Sequence, residues 1–318
     1  MLRWITRILI GLCGILIAAL IAGSSYQWIA TRNDLAATPP PGRLVDVGGH
    51  RLHLWCTGSG APSVILETGL GGTSADWGFV QPGVAEFTRV CSYDRAGMGF
   101  SDPGPSPRTT RRIVGELAQL LERGGVSGPL ILVGASIGGF TARVFASDHS
   151  DRVAGLVLVD ASHEDQKESV PGVAPFVPIL SSIGAFRLLG VSFGPPADSL
   201  APAVQSFVRA TRFRAAGYQA AADELLHMTE SAAEVRVARR PLAIPLVVVT
   251  GGRGNDPVWQ DLQRGQVGLS HRGCQIVAAQ SGHVVAIDEP QVVVNAIRAT
   301  VDAAKRPGGS VICDSLKG

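Results

Sequence analysis

Charge is scarce in this chain. Only 17% of its 318 residues are Asp, Glu, Lys or Arg, and the formal net charge is +2. It has no basic stripe with interleaved aromatics, so nucleic acid is excluded as a partner and a small, weakly charged one is expected. Cysteine is sparse too. None of the five cysteines forms a pair with metal-ligand spacing, so neither a zinc site nor any other metal or organic cofactor is expected. Hydrophobic residues, by contrast, reach 46%, which excludes a disordered chain. The length allows one large domain with a substantial core, or two small ones. No internal repeat is evident.

The longest stretch without charge runs from Ile8 to Thr31, ILIGLCGILIAALIAGSSYQWIAT, behind Arg3 and Arg7. It is long enough to cross a bilayer core. Trp4 lies on one side and Tyr26 and Trp28 on the other, at the levels where amphipathic rings favour headgroups. The two arginines predict a cytoplasmic N-terminus, with everything after about residue 32 exported. A cleaved signal peptide is the alternative, since AGSS offers small residues for cleavage. A buried terminal helix is a third reading. Either of the first two exports the domain. Cys13 falls in this segment and Cys313 in the polar tail, leaving Cys56, Cys91 and Cys274 in the body. Export permits a disulfide among them; otherwise they read as small buried hydrophobes.

DLAATPPPGR, with three consecutive prolines, reads as a stiff, extended joint over 32–42. Beyond it, apolar runs alternate with amphipathic ones. RLVDVGG and RLHLWCTGSG read as paired strands, and PSVILETG, TRVCSYD, PLILVGAS, VAGLVLVDAS, IPLVVVTGG and CQIVAAQSG as further strands. TTRRIVGELAQLLERGG, GGFTARVFASDH and EPQVVVNAIRATVDAAKR read as helices between and after them. This alternation predicts an α/β domain with a largely parallel sheet covered on both faces. Between Ser162 and Pro241 no strand is convincing, and a connection of roughly 80 residues is too long for a loop. The chain therefore divides into a segment 1–31, the joint 32–42, a core over 43–161 and 242–306, a helical cap over 162–241 and a flexible tail over 307–318. Packing onto the body would account for most apolar residues of the cap, such as Phe176, Ile179, Leu180, Phe186, Leu188, Leu189 and Phe193.

In VGASIGG, the residues Gly134, Ser136 and Gly138 form G-x-S-x-G between a strand and a helix. A serine on such a strained corner needs small neighbours so that strand and helix can approach, and the amides that follow can stabilise an oxyanion. Ser136 is accordingly the candidate nucleophile. Of seven histidines, His50, His53, His149, His227 and His271 read as surface or packing residues. His283, in QSGHVVAIDEP, sits in the loop after the last strand, on the edge that carries the serine, and is the candidate base.

These motifs, with ETGLGGTSADW after the third strand and YDRAGMGFSDP after the fourth, resemble the α/β-hydrolase fold over about residues 42–305. The resemblance implies a mostly parallel, eight-stranded sheet with helices on both faces, an inserted helical cap and serine hydrolysis through an acyl-enzyme. It also implies that the amides of Leu70 and Ile137 form the oxyanion hole. Thr68 and Ala135 depart from the pattern, which often has histidines there. Asp94 and Arg95 read as structural residues of a turn. The triad acid is Asp160, at the end of the strand after the nucleophile's helix, or alternatively Asp256, in GRGNDP after the seventh strand. Both precede His283, so chain order does not choose; Asp160 is preferred. In this fold the second and fourth strands are antiparallel neighbours, which implies a Cys56–Cys91 disulfide. The expected activity is hydrolysis of a small apolar ester by a membrane-anchored domain. The alternatives are C–C bond or peptide hydrolysis by the same triad, and a non-catalytic binding module on the same fold.

Overall fold

The computed structural model describes residues 2–167, 170–192, 194–254 and 256–313. Its strands are β1 (Arg43–Asp46), β2 (Arg51–Thr57), β3 (Ser63–Glu67), β4 (Val90–Tyr93), β5 (Leu130–Ala135), β6 (Val153–Val159), β7 (Leu246–Gly251) and β8 (Gly273–Ala278). They form one eight-stranded sheet in the order β1-β2-β4-β3-β5-β6-β7-β8. β1 and β2 pair antiparallel, β2 is antiparallel to β4, and the remaining neighbours are parallel. The expected α/β class and strand set are thus present.

The central strands are apolar on both faces because both faces are covered. Side chains alternate along a strand, and the alternation sorts residues by size. Leu130, Leu132, Leu156, Leu158 and Leu246 face one layer, while Ile131, Val133, Val157, Val159 and Val247 face the other. The first layer is built by helices α3 (Thr110–Arg123), α4 (Gly138–Asp148) and α9 (Met228–Ala238). The second is built mainly by α2 (Gln81–Ala85), α11 (Val285–Asp288) and α12 (Pro290–Ala304). Helix α10 (Pro257–Val267) packs against β7 and β8.

Between β6 and β7 the insertion contains α5 (Val177–Ser182), α6 (Ala185–Leu189), α7 (Gln205–Thr211) and α8 (Ala215–Leu226) before α9. No strand occurs among its described residues up to Arg240. α9 joins the core through Met228, Ala232, Val235 and Ala238, so the helices standing over the sheet edge are α5 to α8. Here one expectation is revised. Leu180 and Phe186 are half-buried, but Phe176, Ile179, Leu188 and Leu189 are 58%, 61%, 69% and 76% exposed. Packing onto the body does not account for these four. Phe193 lies outside the described residues.

The N-terminal segment also differs from expectation. Helix α1 runs unbroken over Leu2–Ala37, so the joint begins at residue 38 rather than 32. Nothing between Arg32 and Ala37 breaks a helix, and its last turns are anchored: Asp34 pairs with Arg187 at 2.7 Å, and Leu35 packs against the Phe100–Phe207 cluster. Among the described residues α1 is the one helix long and apolar enough to cross a membrane.

Antiparallel pairing sets Cys56 directly opposite Cys91, and the two are disulfide-bonded with Cα atoms 4.0 Å apart. A second disulfide, unforeseen in the sequence, joins Cys274 of β8 to Cys313. It fixes the segment after α12 to the sheet edge, within the stretch read from sequence as a flexible tail.

Candidate active site

Ser136 ends the run from β5 into α4 with φ of 50°, a left-handed conformation of order 1–3 kcal/mol above the ordinary regions for a non-glycine residue. The turn closes only because its neighbours lack side chains. A Cβ on Gly134 would lie 2.6 Å from the Gly138 carbonyl oxygen, and one on Gly138 would lie 2.5 Å from that of Thr68. The loop after β3 passes close by, so that a Cβ on Gly69 would sit 3.1 Å from Ser136 Cβ. Among the described residues, neither the Leu70 nor the Ile137 amide donates to a backbone carbonyl.

His283 lies in the loop between β8 and α11. Its Nε2 is 3.0 Å from Ser136 Oγ, and its Nδ1 is 2.6 Å from Asp160 Oδ2. Asp160 is 3% exposed and, like the serine, has positive φ, at 41°. Its other oxygen, Oδ1, accepts the Gly251 amide at 3.0 Å and the Trp259 indole N–H at 3.1 Å. Trp259 also stands edge-on to the His283 ring at 5.8 Å. Asp256 is not at the histidine. It caps α10, accepting the Val258 amide at 3.0 Å, and so helps place the helix that carries Trp259. A hydroxyl–imidazole–carboxylate chain of this kind lets the imidazole take the hydroxyl proton while the carboxylate fixes its tautomer.

Asp94 and Arg95 do more than shape a turn. Asp94 is fully buried, bonded to His53 Nδ1 at 2.8 Å and to the amides of Ser74 and Phe100. Burial alone would raise its carboxyl, but His53 and those amides outweigh it and hold the carboxyl below its ordinary value. Arg95 donates to Glu67 Oε1 at 2.5 Å, to both oxygens of Glu224 on α8 at 2.8 and 2.9 Å, and to the carbonyls of Thr68 and Gly69 at 2.9 and 2.7 Å. One guanidinium therefore fastens both the loop beside Ser136 and a helix of the cap. Burial pushes Glu67 upward despite this partner.

A cavity of about 340 Å³ opens over Ser136 and His283, between the Thr68–Thr73 loop and cap residues such as Leu200, Val208 and Tyr218. Its wall is not wholly apolar: Asp76, Arg212 and Arg214 also face it. Arg214 is engaged by the carbonyls of Gly99 and Ser101, and Arg212 by Ser192 Oγ. Burial raises the Asp76 carboxyl to about 7, only partly opposed by the Thr73 amide it accepts. The folded chain then holds a proton that the unfolded chain releases, so stability falls as pH rises from about 4 to about 7. Asp76→Asn is expected to flatten that slope in urea melts taken across the window; an unchanged slope would remove Asp76 as its source. Among the described residues no cluster of His, Cys, Asp and Glu is arranged to hold a metal.

Residues 64–296 match the family model described as the alpha/beta hydrolase family. The chain belongs to that family. An alpha/beta hydrolase superfamily protein of Gibberella zeae is 25% identical over 277 residues, covering 76% of this chain and 86% of that one. An uncharacterised protein of Schizosaccharomyces pombe is 39% identical over 119 residues, 36% of this chain but 22% of that protein. The chain thus spans about a fifth of the length of the first curated relatives it matches. Among solved structures, a thermophilic esterase of Thermogutta terrifontis superposes with a TM-score of 0.63 at 22% identity, over 83% of this chain and 99% of the other. That is a likeness of fold.

Three features of the site had no separate signature in the sequence. Trp259 and Glu224 act on residues 99 and 129 positions away, and Asp76 looks like a helix-start residue in the ETGLGGTSADW motif. The motif itself signalled a functional loop, but not which of its side chains would face the cavity.

Proposed function

We propose that this protein is a serine hydrolase that cleaves a carboxylic ester through an acyl-enzyme. The observation that carries the reading is the unbroken chain from Ser136 Oγ through His283 to Asp160, with links of 3.0 and 2.6 Å. Ser136 Oγ attacks the ester carbonyl carbon as its proton passes to His283 Nε2. The tetrahedral oxyanion takes hydrogen bonds from the amides of Leu70 and Ile137. Its collapse expels the alkoxide, which takes the proton back from His283. Water then attacks the acyl carbon, giving a proton to His283, and collapse of the second tetrahedral intermediate breaks the bond to Ser136 Oγ, which takes that proton back as the acid leaves. Asp160 is the acid of the triad, and Trp259 holds it through the second oxygen. Trp259→Phe keeps the ring against His283 but removes that bond, worth about 1.5 kcal/mol to a charged acceptor. It is expected to lower kcat about tenfold with little change in KM, measured by steady-state ester hydrolysis.

The same reading places the domain outside the membrane that α1 crosses, with α5 to α8 as a cap over the site. Contacts of the cap with Gln27, Thr31 and Asp34 favour an uncleaved anchor. Tests therefore use the full chain in detergent. A fluorophosphonate probe should label the wild type and not Ser136→Ala, and p-nitrophenyl esters of graded chain length should be turned over. A folded wild type that neither labels nor hydrolyses any of them would overturn the proposal in favour of a binding module.

A further inference from the structure

We propose that the exposed apolar face of the cap seats in the membrane crossed by α1, so that the cavity over Ser136 receives an ester-bearing amphiphile directly from the bilayer. The inference rests on the anchored-hydrolase reading and adds where its substrate resides. The face is formed by Phe176, Ile179, Leu188, Leu189 and Val191, each more than half exposed. These side chains lie on α5, on α6 and on the turns flanking them, which pack on one another, and apolar exposure concentrated in one segment in this way marks an interaction site rather than ordinary surface.

What covers it follows from how α1 meets the cap. An apolar span beginning at Ile8 needs about 20 residues to cross the hydrocarbon, which ends it near Gln27 and Trp28. Gly23 is four residues short of Gln27, about 6 Å along the helix axis, and already touches the cap: a Cβ there would lie 2.6 Å from the Ile183 carbonyl oxygen. Gln27, though within an apolar stretch, is 4% exposed. Its amide nitrogen donates to the Phe213 carbonyl, and its oxygen accepts from Arg187 Nε at 3.0 Å. Arg187 of α6 also donates to Thr31 and to Asp34. The cap segment from Ile183 to Arg187 is therefore fixed at the depth of the bilayer edge, and Leu188 and Leu189 follow it directly.

The same face is joined to the cavity. The Val191 carbonyl accepts the Tyr218 hydroxyl at 2.7 Å, Phe186 stacks on the Tyr218 ring at 4.7 Å, and Tyr218 lines the cavity. Gly194 and Pro195, a few residues on, line it too. An acyl chain leaving the bilayer at this face would meet the cavity wall without crossing water.

The test uses the full chain reconstituted into phosphatidylcholine–phosphatidylglycerol vesicles, with two nitroxide positions. A label on native Cys13 reports the anchor, and a label on Leu189→Cys in a Cys13→Ser background reports the cap. Both labels should be relaxed more by oxygen than by a water-soluble nickel chelate. Preferential nickel relaxation at position 189, with position 13 in the bilayer, would overturn the proposal while leaving the anchor intact. Spin–spin broadening at 189 would overturn it in favour of a second copy covering the face. Nickel relaxation at both positions would overturn the anchor and the proposal together. As the functional arm, Leu188→Asp/Leu189→Asp should reduce hydrolysis of a long-chain ester embedded in the vesicles at least fivefold and leave p-nitrophenyl acetate turnover unchanged. Equal rates on the embedded ester would overturn the proposed delivery. If the wild type hydrolyses no ester, the hydrolase reading fails and the labels alone decide the docking.

Discussion

Asp160→Asn is expected to lower kcat by about 10⁴-fold, while Asp256→Asn leaves it within about a factor of two. The argument is one of hydrogen-bond roles. Asp160 Oδ2 faces His283 Nδ1 at 2.6 Å, and a carboxylate there can only accept, which keeps the proton on Nδ1 and leaves Nε2 free to take the proton of Ser136. The Gly251 amide and the Trp259 indole both donate to Oδ1. An asparagine at this position must therefore keep its carbonyl oxygen on those two donors and turn its NH₂ toward the histidine. His283 is then driven to the opposite tautomer, with its proton on Nε2 and no lone pair for the serine. Asp160 is not among the residues lining the cavity, so KM should hardly move. Asp256, 3.0 Å from the Val258 amide as the cap of α10, retains that bond as asparagine, which caps equally well. Steady-state kinetics of both variants on one activated ester make the measurement. A large loss in Asp256→Asn with a small one in Asp160→Asn would reverse the assignment.

How much of this was legible in the sequence follows the range of the interactions. The strands, and the elbow with its glycines, are set by neighbours within a few residues, and Ser136 stands out for that reason. His283 is found by its place after the last strand. The choice between Asp160 and Asp256 is of another kind, because both precede the histidine and both follow apolar strands. It turns on the reversed backbone at Asp160 and on donors from Gly251 and Trp259, close to Asp256 in sequence but serving Asp160 in space. The apolar residues of the cap were visible as composition; which of them face outward depends on how the cap's helices pack together and against α1. Cys56–Cys91 followed from strand adjacency in the implied fold. Cys274–Cys313 did not, because no regular element brings Cys313 back to β8.

Arg95→Ala is expected to destabilise the fold by about 3–5 kcal/mol, because it leaves Glu67 and Glu224 buried without their counter-charge. For a chain of this size that is on the order of 10 °C in Tm. The substitution should also remove most activity at temperatures where the variant remains folded. Arg95 holds the Thr68 and Gly69 carbonyls at 2.9 and 2.7 Å, and the next amide in that loop is Leu70, a proposed donor to the oxyanion. Released, the Thr68 and Gly69 carbonyls have no other charged partner among the described residues to keep the Leu70 amide aimed, and losing one such donor costs about 10²–10³ in kcat. Arg95→Lys keeps the charge but presents a single ammonium where the guanidinium serves two carboxylates and two carbonyls in one plane. It should recover much of the Tm and little of the kcat. Glu224→Gln weakens only the tie to α8, leaving Glu67 and the loop carbonyls bound, so its loss should fall on stability and cap closure rather than on the rate with a small ester. Thermal unfolding followed by circular dichroism, alongside kcat on a short-chain ester, separates the three. Equal recovery of both quantities by the lysine would mean that Arg95 acts as a counter-ion alone and does not position the loop.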